Sequence, residues 1–176
     1  MPARHLTTRQ RLRLVSLGLA AAPAAMLGFA YYAQYVLGLL PCILCLWQRP
    51  PLFIAAAAAL LAFALVKGPK GVSRAFLGLA GIAFLVGAGI AVFHAGVEWK
   101  FWEGLKECGG SVQPIETNIG DLLGSMETAK IVRCDEAAWV FLGLSMAGWN
   151  AIISGLLAVL AFWGMVQGQL KGRFRA

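Results

Sequence analysis

The run AFLGLAGIAFLVGAGIAVFHAGV, residues 75–97, decides the fold. It contains no Lys, Arg, Asp or Glu, and about 20 apolar residues suffice to cross the hydrocarbon core of a bilayer as a helix. Outward from it, residues 14–48, 50–66 and 137–170 are equally free of acidic and basic side chains. Four spans are therefore expected, near 14–36, 46–66, 75–97 and 146–168. The second is the shortest and needs Cys45, Leu46 and Trp47 to complete its crossing. The chain of 176 residues has the length of one domain, with 60% hydrophobic and 13% charged residues; soluble domains carry roughly 45–50% and 25%. The expected fold is an all-α integral membrane protein, a four-transmembrane-helix bundle over residues 1–176.

The formal net charge of +7 suggests nucleic acid at first sight, but its placement argues against that. Arg4, Arg9, Arg11 and Arg13 precede the first span, Lys67, Lys70 and Arg74 separate the second from the third, and Lys171, Arg173 and Arg175 follow the last. All 8 acids lie between Glu98 and Glu136. By the positive-inside rule, both tails (1–13 and 169–176) and the 67–74 turn face the cytoplasm. The 37–45 connection and the 98–145 loop then face outward. The N-terminal arginines, apolar run and Ala20-Ala21-Ala22-Pro23-Ala24 resemble a cleaved signal peptide, but the run continues through Tyr31 and Tyr32 to Leu40. That is too long for a signal h-region, so the segment is read as a retained span.

Ala83, Gly87, Ala91 and Ala95 recur every four residues along the third span, and residues 55–59 of the second are all Ala. In lipid such small side chains let helix backbones approach closely. In the outer loop, Ile115, Ile119, Leu122, Leu123 and Met126 alternate with Glu116, Asp121 and Glu127. That spacing suits a short interfacial amphipathic helix; Gly120 and Gly124 weaken it, and a loop packed on the bundle is the plain alternative.

The chemistry lies in Leu40-Pro41-Cys42-Ile43-Leu44-Cys45-Leu46-Trp47-Gln48-Arg49, at the outer start of the second span. A helix N-terminus stabilises thiolate. In a helix, Arg49 shares a face with Cys42 and Cys45, and it is the only charge between Arg13 and Lys67. An arginine kept beside two cysteines at a membrane boundary suggests an electron-rich ligand. Pro50-Pro51 implies that the Cys42–Cys45 turn is distorted or sits ahead of the regular helix.

Cys108 and Cys134 complete the 4 cysteines, and all of them lie at or near the outer side. Four cysteines permit three pairings, and topology does not choose among them. A structural disulfide closing the Cys108/Cys134 loop would contribute on the order of 3–4 kcal/mol. A zinc tetrathiolate is a further reading, although Cys108 and Cys134 form no second CxxC and have no His nearby. Redox catalysis, structural bonds and metal all stay open on the residues alone.

Leu40 to Arg49 resembles the signature of the bacterial disulfide-bond formation protein B (DsbB) family. The stretch Cys134-Asp135-Glu136-Ala137-Ala138-Trp139-Val140-Phe141-Leu142-Gly143-Leu144-Ser145-Met146-Ala147-Gly148-Trp149-Asn150 is similar to the segment after that family's last cysteine. With four spans and two outward cysteine pairs, the resemblance covers nearly the whole chain. It implies an inner-membrane thiol oxidase that reoxidises a periplasmic DsbA-like oxidase and passes two electrons to a quinone, ubiquinone or menaquinone. It further implies resting bonds Cys42–Cys45 and Cys108–Cys134. The reduced partner would attack Cys108, and freed Cys134 would attack Cys42. Cys45 would be left as a thiolate against the quinone ring, with Arg49 assisting quinone binding.

His94, near the outer end of the third span, is similar to a histidine that the family associates with its quinone site. Its plain alternative is a hydrogen bond to Glu98 or a backbone carbonyl. Gln48 stands where some relatives carry an acid and is given no role. Trp47 and Trp99 suit the interfacial aromatic belt. The competing readings are a non-catalytic scaffold with structural disulfides and a quinone reductase of the vitamin K epoxide reductase type.

Overall fold

A computed structural model describes residues 7–105 and 133–173. Cys108 and the expected amphipathic segment at 115–127 lie outside the described residues. The elements are α1 (Thr8–Tyr35), α2 (Ile43–Trp47), α3 (Arg49–Ala64) continued by a 3₁₀ turn (Leu65–Lys67), α4 (Lys70–Glu98), β1 (Val140–Phe141), β2 (Leu144–Ser145) and α5 (Met146–Arg173). Four segments are long and apolar enough to cross a membrane: Thr8–Tyr35, Ile43–Lys67, Gly71–Glu98 and Met146–Val166. The molecule is a four-helix membrane bundle.

Helix α1 begins ahead of its charge-free run because Thr7 caps it. The Thr7 hydroxyl accepts from Gln10 N at 3.3 Å, and the Gln10 side chain accepts from Thr7 N at 2.9 Å. Two otherwise unpaired backbone donors are satisfied reciprocally, so Arg9, Arg11 and Arg13 ride on helical turns.

The second crossing is two helices that meet at Gln48. Pro50 and Pro51 supply no amide hydrogen, and a proline ring crowds the carbonyl four residues earlier, so α2 stops at Trp47 and α3 restarts at Arg49 with proline in its first turn. The double proline therefore sets the Cys42–Cys45 turn ahead of the regular helix. Cys42 becomes the N-cap of α2, its sulfur accepting from Cys45 N at 3.3 Å.

Small side chains make the interior thin. Leu19 and Leu27 of α1, Ala55, Ala59 and Ala62 of α3, Leu77, Ala80 and Phe84 of α4, and Ala158 and Ala161 of α5 form one buried cluster. Ala83, Gly87, Ala91 and Ala95 are all buried. A methyl group added at Gly81 would sit 2.9 Å from the Phe162 ring, and one at Gly78 would sit 2.9 Å from the Met165 sulfur. Bulky residues such as Ile82, Leu85, Leu156 and Val159 are exposed, as lipid-facing surfaces require.

Among the described residues the all-α expectation has one exception, placed at the Cys42–Cys45 end of the bundle. Val140 pairs with Ser145 and Phe141 with Leu144 in a short antiparallel hairpin. Its turn has Leu142 at φ 51° and Gly143 at φ 80°. Two consecutive positive φ values match the twist of a two-residue hairpin. Trp139 stacks on Phe141 and packs on Phe29 of α1, so the hairpin lies against the bundle.

Candidate functional site

The first turn of α2 presents two sulfurs. Cys42 Sγ and Cys45 Sγ are 3.1 Å apart and share a hydrogen bond. Both are free thiols, so the Cys42–Cys45 bond that the resemblance implied is open in this structure. Cys134 is disulfide-bonded and buried, and it shares an apolar cluster with Cys42, Leu44 and Val97. One sulfur of the outer loop therefore packs against the inner pair, although its residue number is remote. Lys100 and Arg133 both pair with Asp135, which ties the Cys134 segment to the end of α4. These exposed pairs hold the Asp135 carboxyl well below the usual carboxylate range, Arg133 first and Lys100 second.

His94 stands between Cys42 and Cys134. It is 2% exposed. Its Nε2 lies 3.4 Å from Cys42 Sγ and 3.7 Å from Glu98 Oε1, and the ring also bonds the Cys134 backbone. Glu98, the simple partner expected for His94, is in turn held by the Ser145 hydroxyl, which donates to its carboxylate. His94 thus has a sulfur and a carboxylate on the same edge of its ring.

The Cys42 thiol is shifted below its ordinary value of 9.0. The hydrogen bond from the Cys45 thiol is the main cause, His94 adds to it, and burial opposes it. The Cys45 thiol and His94 thus favour charge on Cys42, the N-cap, whereas the resemblance implies a thiolate on Cys45. The amide of Cys45, which the N-cap sulfur receives, adds the smallest share. Arg49 is drawn the other way: its Nη2 donates to Gln34 Oε1 at 2.7 Å, and its guanidinium stands 4.8 Å over the Tyr31 ring.

These groups wall one cavity of about 330 Å³. Cys42, Cys45, Arg49 and His94 line it together with Leu27, Phe29, Leu52 and the hairpin's Trp139 and Phe141. Mostly apolar walls with a few converging polar groups are usual for a small-molecule site. Cys108 lies outside the described residues. The site also contains residues to which the sequence assigns no role, namely Gln34, Gln48 and Asn150. Each is a polar side chain inside a charge-free run, and that is itself the signal.

The two free sulfurs and a ring nitrogen of His94 lie within 4.8 Å of one another, close enough to hold a metal ion. The Cys134 sulfur is already bonded.

The family model described as disulfide bond formation protein DsbB matches residues 12–164. Among curated relatives, a disulfide bond formation protein B of Aromatoleum aromaticum is 32% identical over 85% of this chain and 89% of its own length. Proteins of the same name from Xanthomonas campestris and Marinobacter nauticus are 34% and 36% identical, covering 82% of this chain and 83% and 86% of theirs. In this chain two thiols lie beside a buried, disulfide-bonded Cys134, at one end of four apolar helices. The chain belongs to the DsbB family, as a multi-pass bacterial membrane protein of disulfide bond formation.

Proposed function

We propose that this protein is a quinone-dependent thiol oxidase of the bacterial inner membrane that reoxidises a DsbA-like periplasmic oxidase. The observation that carries the reading is the packing of Cys134 against Cys42, with Cys42 and Cys45 on the wall of the 330 Å³ cavity. Both tails face the cytoplasm in this reading and the cysteine end faces the periplasm, as the basic flanks favour.

Exchange begins when a thiolate of the reduced partner attacks Cys108, breaking the Cys108–Cys134 bond and releasing Cys134 as thiolate. The partner's second thiol resolves that adduct and leaves as part of a disulfide. Cys134 then attacks Cys42 of an oxidised inner pair, the Cys42–Cys45 bond breaks, and Cys45 departs with the electrons. Cys108 attacks Cys134, restoring the outer bond and expelling Cys42. Two electrons and two protons have moved from the partner to Cys42 and Cys45. A low-pKa sulfur leaves faster, so the lowered Cys42 value favours the last step.

A quinone, ubiquinone or menaquinone, accepts two electrons and two protons. The cavity fits such a ring in chemistry: apolar walls for its faces, with Arg49 as an N–H donor for electron-rich oxygens and His94 on the same wall. Arg49 supplies fixed positive charge, and Cys45 presents its sulfur to the same space.

The test is turnover in lipid vesicles containing a short-chain ubiquinone, with a reduced thioredoxin-fold dithiol protein outside. Thiol loss and quinone bleaching are expected one for one, abolished by Cys45→Ser. Replacement of Cys134 should trap a partner adduct on Cys108. Absence of turnover, or stoichiometric zinc on Cys42, Cys45 and His94 of the purified protein, overturns the reading.

A further inference from the structure

Gln48 sits at the joint of α2 and α3, His94 on α4, and Asn150 and Ser154 on α5. Gln48 is 6% exposed and Ser154 0%, so their polar atoms depend on one another. Ser154 Oγ donates to Asn150 Oδ1 at 2.9 Å, and Asn150 Nδ2 donates to Gln48 Oε1. Gln48 Nε2 donates to the Leu44 carbonyl at 3.3 Å and meets His94 Nδ1 at 2.9 Å.

The direction of this chain is set at the Leu44 carbonyl, an acceptor that cannot turn round, since the Ser154 hydroxyl can either donate or accept. A flipped Gln48 would set its oxygen against that carbonyl. Its NH₂ therefore faces His94, and Nδ1 has to accept. A neutral imidazole carries one proton, and the partner of one nitrogen decides where it sits. In this ring it sits on Nε2, the atom 3.4 Å from Cys42 Sγ and 3.7 Å from Glu98 Oε1.

We propose that Gln48 and Asn150 are positioning residues that lock His94 as the Nε2–H tautomer, so that a donor always faces the Cys42 sulfur. Protonating Nδ1 would set N–H against N–H, so His94 serves as a hydrogen-bond donor to sulfur and not as a base. A donor favours the thiolate that leaves when Cys42 is expelled from a mixed disulfide. The benefit to exchange rests on the oxidase reading above; the tautomer does not. Among the described residues, the charged or titratable groups against the ring are Cys42 and Glu98, from α2 and α4, and the Cys134 segment adds a backbone bond that a ring N–H has to donate. From α3 and α5 the chain of contacts brings only amides and a hydroxyl.

The experiment is ¹⁵N spectroscopy of histidine-labelled reduced protein in lipid, with no quinone or partner added. The chain has 2 histidines, and His5→Gln leaves His94 alone. The expected spectrum has a bare Nδ1 and a protonated Nε2. Gln48→Glu, nearly isosteric, should move the proton to Nδ1 or give the doubly protonated ring. Asn150→Leu, which frees Gln48 to turn, should give a mixture of tautomers and provides a second reading if the first variant does not fold. In turnover, Gln48→Met should lower kcat by roughly tenfold, as for loss of a hydrogen bond to a charged group, with KM for the dithiol partner unchanged. A protonated Nδ1 in the parent protein, or an unaltered spectrum in a folded Gln48→Glu variant, overturns the proposal. Lack of turnover in the parent protein alone overturns only the oxidase reading.

Discussion

Arg49 Nη2 donates to Gln34 Oε1 at 2.7 Å, joining α3 to α1 beside the cavity. The Tyr31 ring supports the same guanidinium from one face, so two α1 residues fix a charge that α3 supplies. Unheld, an arginine side chain loses rotamer freedom each time it binds a ligand. Gln34 and Tyr31 bear that loss in advance.

Gln34→Leu should therefore raise KM for quinone by about three- to tenfold, the effect of one hydrogen bond to a charged group partly replaced by water. Turnover at saturating quinone should change little, because the sulfurs are untouched. Quinone titrations in vesicles measure both numbers, and an unchanged KM would show that Arg49 needs no support.

The acidity of Cys42 makes a prediction with a definite sign. Its folded value lies below the ordinary 9.0, chiefly through the Cys45 thiol, with His94 helping and burial opposing. Cys42 of the reduced protein thus contributes stability that is present above its ordinary value and is lost as pH falls through the lowered one. The thermal midpoint of the reduced protein should drop on acidification more steeply than that of the oxidised protein, whose inner pair carries no thiol. Cys45→Ala removes the largest cause, so the pH at which Cys42 becomes reactive toward iodoacetamide should rise. A midpoint that stays in place would contradict the assigned donor.

Gly96 makes room for an aromatic ring. A methyl group there would lie 2.0 Å from the Trp102 ring, which stacks on Phe93 and donates Nε1–H to the Phe93 carbonyl at 2.9 Å. Gly96→Ala should displace Trp102 and lower stability by about 1–3 kcal/mol, the usual range for overpacking. Tryptophan fluorescence and thermal unfolding in detergent would register it; an unshifted emission spectrum would mean the ring is free to move.

Ser145 does two jobs at the start of α5. Its hydroxyl accepts from Gly148 N at 3.1 Å as an N-cap and donates to Glu98. Ser145→Ala should cost about 0.5–2 kcal/mol as a lost cap, while Ser145→Thr should retain most of it. Thermal midpoints of the two variants compared with the parent protein provide the check.

The four crossings were legible because insertion into lipid depends on apolar length and flanking charge, quantities that add along the chain and need no knowledge of neighbours. The Cys42–Cys45 turn ahead of α3 was legible for a similar local reason, since proline's missing amide and fixed φ act within one helical turn. Thr7, by contrast, lengthened α1 through a cap that hydropathy does not register. The hairpin at Val140–Ser145 was missed because its two-residue strands are too short for an alternating pattern to show.

Which helix faces meet was decided only by packing. Nothing in the order of residues says that Gln48, His94 and Asn150 share one hydrogen-bonded chain, or that Cys134 rests against Cys42. Those meetings arise where glycine and alanine let backbones approach, and where buried polar atoms find partners inside a bundle without water. Local chemistry along the chain set two sulfurs in one turn ahead of the second crossing; the close fit of separate helices chose which ring nitrogen faces them.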